Sequence, residues 1–87
     1  IHQPGKEQIV TLFFTLLDRP GILSSILKVL AGAATSVLTI NQNIPVGDVA
    51  NITISIRTVN MNCSMDTLIK KLGSLENVKK IEIIAES

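Results

Sequence analysis

Apolar and polar positions along this chain repeat at two different periods, and the switches between them mark its elements. In residues 8–17 (QIVTLFFTLL), Val10, Leu12, Phe14 and Leu16 share one face; Thr11, Phe13 and Thr15 share the other. That period of two, in a run rich in β-branched and aromatic side chains, predicts a strand. Asp18-Arg19-Pro20-Gly21 breaks it. Ile22, Leu23, Ile26, Leu27, Leu30 and Ala34 then recur at helical spacing, with Ser24, Ser25 and Lys28 mostly on the other side. A helix over 22–34 follows. Pro20, near its first position, has the fixed φ that a helix start needs.

Residues 37–44 (VLTINQNI) predict a second strand, and Pro45-Val46-Gly47-Asp48 a hairpin loop. In residues 49–58, Ile52, Ile54 and Ile56 alternate with Asn51, Thr53, Ser55 and Arg57. This is the clearest strand pattern in the chain, with one face buried. Ser64 suits the N-cap of a helix over 65–75, and Asp66 in its first turn suits the helix dipole. Leu68, Ile69, Leu72 and Leu75 form its apolar stripe; Lys70 and Lys71 face solvent. Glu76-Asn77 turns the chain into a last strand, 78–84 (VKKIEII), with Ile81 and Ile83 inward.

The order βαββαβ predicts an α+β, ferredoxin-like sandwich. Adjacency and right-handed crossovers fold it into a four-stranded antiparallel sheet of order 4-1-3-2, with two helices on one face. Residues 1–7 (IHQPGKE) read as a flexible lead-in and 8–87 as the domain. The strand at 37–44 falls at a sheet edge and carries no charge. Natural edges usually carry Lys, Pro or a bulge. Pairing with a second copy across a two-fold axis is the simplest way to cover it. The face away from the helices carries Thr11, Phe13, Thr15, Thr39, Asn41, Asn51, Thr53 and Ser55. It reads either as a half-wet sheet face or as a covered one anchored on Phe13.

Composition narrows the function. Eighty-seven residues make one domain. The chain is 46% hydrophobic and 17% charged, with two Phe, no Tyr and no Trp. A formal net charge of +1 gives no electrostatic reason to expect nucleic acid or an anionic membrane. Residues 29–47 are uncharged but too polar to cross hydrocarbon. No signal segment is evident, and a start at Ile1 suits a piece of a longer protein. Cys63 has no partner cysteine for a disulfide or a metal site, which suits a reducing cytoplasm. The single histidine, His2, lies in the lead-in, so Cys63 has no evident base to activate it. No cofactor is expected.

The run Leu16-Leu17-Asp18-Arg19-Pro20-Gly21-Ile22-Leu23 takes a strand through a tight turn into a helix N-terminus. Unpaired N–H groups there can hold a carboxylate, and Gly21 allows close approach. The alternative is purely structural: Asp18 helps to cap the helix while Pro20-Gly21 makes the turn.

The run DRPGIL after an apolar strand, the segment VLTINQNIP, the strand ANITISI and the ending LENVKKIEII together resemble the ACT domain family. The small PheB-like members are the nearest in kind, and the likeness covers residues ~8–85. It implies a regulatory module linked to amino-acid metabolism, not an enzyme. It also implies a homodimer through strand 37–44, with an amino-acid effector at the seam. The site residues it implies are Asp18, Arg19, Pro20, Gly21, Ile22 and Leu23, with Leu38 on strand 2. Leu38 stands where amino-acid-binding members often have Asn, and Leu16 where a serine-binding type is polar. Serine is therefore disfavoured; an apolar amino acid and no ligand at all both stay open. Helix 1 ends in Ala33-Ala34-Thr35-Ser36, without the glycine expected after a helix C-terminus.

The rival functions are a purely structural pairing module and chorismate mutase-type activity. The latter needs several cations around two carboxylates, and the chain's arginines are only Arg19 and Arg57. RNA recognition on this topology needs aromatics on the central strands, and residues 49–58 have none. Metal delivery needs cysteines in the first loop, and Asp18–Ile22 has none.

Overall fold

The computed structural model describes residues 8–87. The expected lead-in, with His2, lies outside the described residues. The elements are β1 (Ile9–Leu17), α1 (Ile22–Gly32), β2 (Ser36–Gln42), β3 (Val49–Arg57), α2 (Met65–Gly73) and β4 (Val78–Glu86). One antiparallel sheet has the order β2-β3-β1-β4, the expected order read from its other edge.

The two central strands show why alternation works. On β1, Val10, Leu12, Phe14 and Leu16 are buried; on β3, Ala50, Ile52, Ile54 and Ile56 are buried. Their register pairs Leu12 with Ile54 and Phe14 with Ile52, so like faces align. Against them pack Ile22, Ile26 and Leu30 of α1 and Leu68 and Leu72 of α2, at one-turn spacing. Each such side chain contributes roughly 1.5–3 kcal/mol when fully buried. No polar side chain is buried among the described residues. On the opposite face Thr11 and Ser55 share a hydroxyl hydrogen bond of 2.9 Å across β1 and β3.

Several expected boundaries shift, each for a local reason. Pro20 lies before the N-cap rather than inside the helix; Gly21 is the N-cap, at φ 84°, with Ile22 first in α1. No side chain caps α1, so Asp18 does not act as its cap. The helix ends at Gly32, short of 34, because Ala34 turns left-handed at φ 62°. Thr35 N–H then donates to Leu30 O (3.2 Å) and Ala34 N–H to Ala31 O (3.0 Å). That is the bond pattern of a glycine-type helix stop, made here with alanine. Asn62 secures it: its N–H donates to Ala33 O (3.0 Å) and its Nδ2 to Gly32 O (2.9 Å).

Helix α2 does begin after Ser64, whose Oγ accepts from Thr67 N–H at 3.1 Å. It ends at Gly73, with Leu75 N–H donating to Leu72 O in a tighter last turn. β2 stops at Gln42, before Pro45, which has no N–H to add to the ladder. β4 runs on to Glu86 because the start of β1 offers it a partner: Val10 pairs with Glu86. Ile81 and Ile83 lie in register with Phe14 and Leu12, as expected for inward residues. Ile83 nevertheless stays 38% exposed, on the wall of an open groove between α2 and β4.

Candidate functional site

The β1–α1 corner is pinned from both sides. Leu17 N–H donates to Asn77 O (2.8 Å) in the turn before β4, and Asp18 N–H to Asp48 O (2.7 Å) before β3. Arg19 adds a long ion pair to Asp48 (3.8 Å) and donates to Asp18 O at 3.3 Å. Both side chains of that pair are well exposed, so it steadies the loop only weakly. Ile22 N–H closes a turn on Arg19 O (3.2 Å), and Ser25 N–H starts the helix on Gly21 O (2.9 Å). The N–H groups of Leu23 and Ser24 find no acceptor among the described residues. They face outward from the positive end of the helix dipole.

Gly21 is required by its φ, not by crowding, since a Cβ there would meet nothing within 4 Å. A hollow of about 390 Å³ elsewhere is apolar, but the one at this corner, about 330 Å³, is polar. It lies between Pro20, Gly21 and Ser25 on one side and Glu76 and Asn77 on the other. It therefore opens toward the α2–β4 turn rather than toward β2.

Asp18, Arg19, Pro20, Gly21, Ile22 and Leu23 are thus brought together in one loop. Asp18, Arg19, Pro20 and Gly21 are exposed, Leu23 is half-buried and Ile22 is in the core. Leu38 is not with them in this chain. The loop is level with Val49, next to Leu17, whereas Leu38 lies near Val37, which pairs with Ile56 at the far end of the sheet. A register shift between Val37 and Thr39 makes Leu38 the irregular residue of β2. Leu16 is fully buried under the helices and lines no surface.

Every residue of β2 is exposed. The hairpin beyond it carries Ile44 at 89% and Val46 at 81% exposure, directly beside the corner. Sequence reasoning missed this apolar tip and missed Asp48 as the loop's tether. Asp48 could have been noticed as the first charge after the uncharged run 29–47. Among the described residues no three His, Cys, Asp or Glu side chains gather as metal ligands. No described helix is long and apolar enough to cross a membrane.

A family model for the ACT domain matches residues 4–82. This chain belongs to the ACT domain family. Members are typically regulatory and amino-acid-binding. A UPF0735 ACT domain-containing protein of Geobacillus kaustophilus is 53% identical over 79 residues, covering 91% of this chain and 54% of the relative. One from Desulforamulus reducens is 37% identical over 86 residues, covering 99% and 58%. The chain therefore spans little more than half the length of these ACT relatives. The ACT domain of the GTP pyrophosphokinase of Chlorobium tepidum has the same fold, with a TM-score of 0.71 at 18% identity, covering 91% of this chain and 100% of that one. The regulatory subunit of aspartate kinase from Thermus thermophilus, in its ligand-free form, aligns with a TM-score of 0.57 at 17% identity, covering 76% and 41%.

Proposed function

We propose that this ACT domain is a non-catalytic regulatory module of amino-acid metabolism. In this reading it pairs with a second copy along β2 and takes an apolar amino acid at the seam. The observation that carries it is the uncharged, wholly exposed β2 beside a helix N-terminus with unpaired N–H groups. Antiparallel pairing of β2 with its twin reverses the strand. With the axis near Ile40, the second copy's Leu38 stands opposite Gln42, toward the end where the corner lies. The effector's carboxylate then meets Leu23 and Ser24 N–H. Its side chain lies among Leu38 of the second copy and the apolar hairpin tip.

One observation favours the rival reading, a pairing module without effector. The hollow at the corner faces away from β2, and β2 offers Leu38 rather than a polar side chain. A thermal-shift screen of the twenty amino acids separates the two. A bound effector at 100 times its Kd adds about 2.7 kcal/mol. The expected hits are branched-chain amino acids or phenylalanine, and not serine. A Gly21→Asp variant, with its own stability measured, is expected to lose the response through charge repulsion. A flat screen would leave pairing alone, and an unchanged response in the variant would remove this loop as the site.

A further inference from the structure

The opposite edge of the sheet holds a second uncovered surface. Between α2 and β4 lies an open groove of about 390 Å³, walled by Ile69, Ile81 and Ile83 and rimmed by Asp66 and Lys70. Asp66 and Lys70 stand one helical turn apart, the usual spacing for an ion pair. Among the described residues neither makes one, with the other or with anything else. Ile83 is 38% exposed although it points to the helix side of the sheet.

Both ends of the domain leave beside this groove. Ile9 N–H donates to Ser87 O (3.3 Å) and Ser87 N–H to Ile9 O (2.9 Å), so the ends share one rung. From Ile83 to Ser87 is four residues, about 13 Å of strand. The matched relatives have 42–46% of their length outside the aligned region, from coverages of 58% and 54%. Residues joined after Ser87 would set out from this corner, and the described chain enters the sheet there at Gln8 and Ile9.

We propose that the α2–β4 groove seats an amphipathic helix from the polypeptide flanking this domain, as the longer relatives carry. Its apolar stripe lies on Ile69, Ile81 and Ile83, with a basic residue against Asp66 and an acidic one against Lys70. It extends the helix layer beside α2 at ordinary helix–helix spacing. A strand added to β4 is the poorer occupant, because Lys79, Lys80 and Glu82 put charge along that edge.

Thiol labelling tests this. Ile83→Cys in a Cys63→Ser background is made in the 87-residue chain. Its counterpart, at the aligned position, is made in the full-length Geobacillus kaustophilus protein freed of other cysteines. Lys28→Cys, on the exposed side of α1, is the control in both. The groove thiol is expected to react at least tenfold more slowly in the longer protein, with the control reacting alike. With Asp and Lys first placed at the positions of the longer protein aligned with 66 and 70, reversing those two charges is expected to restore reactivity there, while Asp66→Lys with Lys70→Asp leaves the rate in the 87-residue chain unchanged. Equal rates in the two proteins would overturn the proposal. So would protection in either that fades on dilution, which would mark a second copy as the occupant. An unaffected rate in the longer protein after the charge swap would overturn it as well.

Discussion

β2 and β4 flank the same pair of central strands, yet they are built differently. β2 has no charge between Ser36 and Gln42 and is exposed throughout. β4 carries Lys79, Lys80, Glu82 and Glu86, with Lys80 and Glu82 in a 2.7 Å ion pair. Charge along an edge blocks pairing with other chains; its absence invites it. One edge is therefore suited to strand pairing, while the other is open only above its helix-facing side. The difference teaches that exposed apolar surface has to be read with the charges around it.

The largest expected effect removes what both edges hang on. Phe14 is fully buried between them. Phe14→Ala is expected to cost about 3–5 kcal/mol in urea unfolding, which for a domain of this size approaches the whole stability. Next comes the comparison itself. Ile40→Lys on β2 places like charges across the proposed axis and is expected to weaken self-association at least about tenfold, worth about 1.4 kcal/mol. Ile84→Lys on β4 is expected to leave association unchanged. Analytical ultracentrifugation over a concentration series measures both, and a chain that stays monomeric at every concentration would end the pairing proposal.

The helix ends sharpen the contrast. Ala34, which leads into β2, holds a left-handed φ of 62°. Ala34→Gly is expected to raise stability by about 0.5–1 kcal/mol by relieving that strain. Ser64, which starts the helix beside β4, loses its cap as Ser64→Ala, at about 1 kcal/mol. Chemical denaturation midpoints read both.

The smallest effect lies in the β4 ion pair. The hydrogen bond that Lys80 Nζ donates to the Glu82 carboxylate, with the charge of that carboxylate, raises the Lys80 pKa above its ordinary value of 10.5. A raised lysine pKa adds stability below the unfolded value and loses it as the pH climbs through the folded one. The difference in Tm between the parent and Glu82→Gln is therefore expected to be small at pH 7 and to vanish in strong alkali.

How much of this was legible in the sequence varies by element. β1 and β3 alternate cleanly because each has one dry face and one half-wet face, so the period of two alone places Leu12 and Ile54 inside. Helix ends were less legible. α1 stops two residues early through a left-handed alanine supported by Asn62, a residue thirty positions beyond Gly32. No local pattern carries such a long-range bond. The corner loop was legible as a unit, since Pro20-Gly21 is a local turn signal. The irregularity at Leu38 depends on β3 across the ladder. The α2–β4 groove depends on how far the helix layer reaches, which alternation in Ile81 and Ile83 does not encode.

The shared rung between Ile9 and Ser87 has a consequence for how such a domain travels between genes. A unit that enters and leaves at one point can be spliced into a host polypeptide without prising the host apart. The same closeness allows the old ends to be joined by a short linker and new ones opened at the exposed Val46–Gly47 tip. The rearranged chain would keep every rung of the sheet.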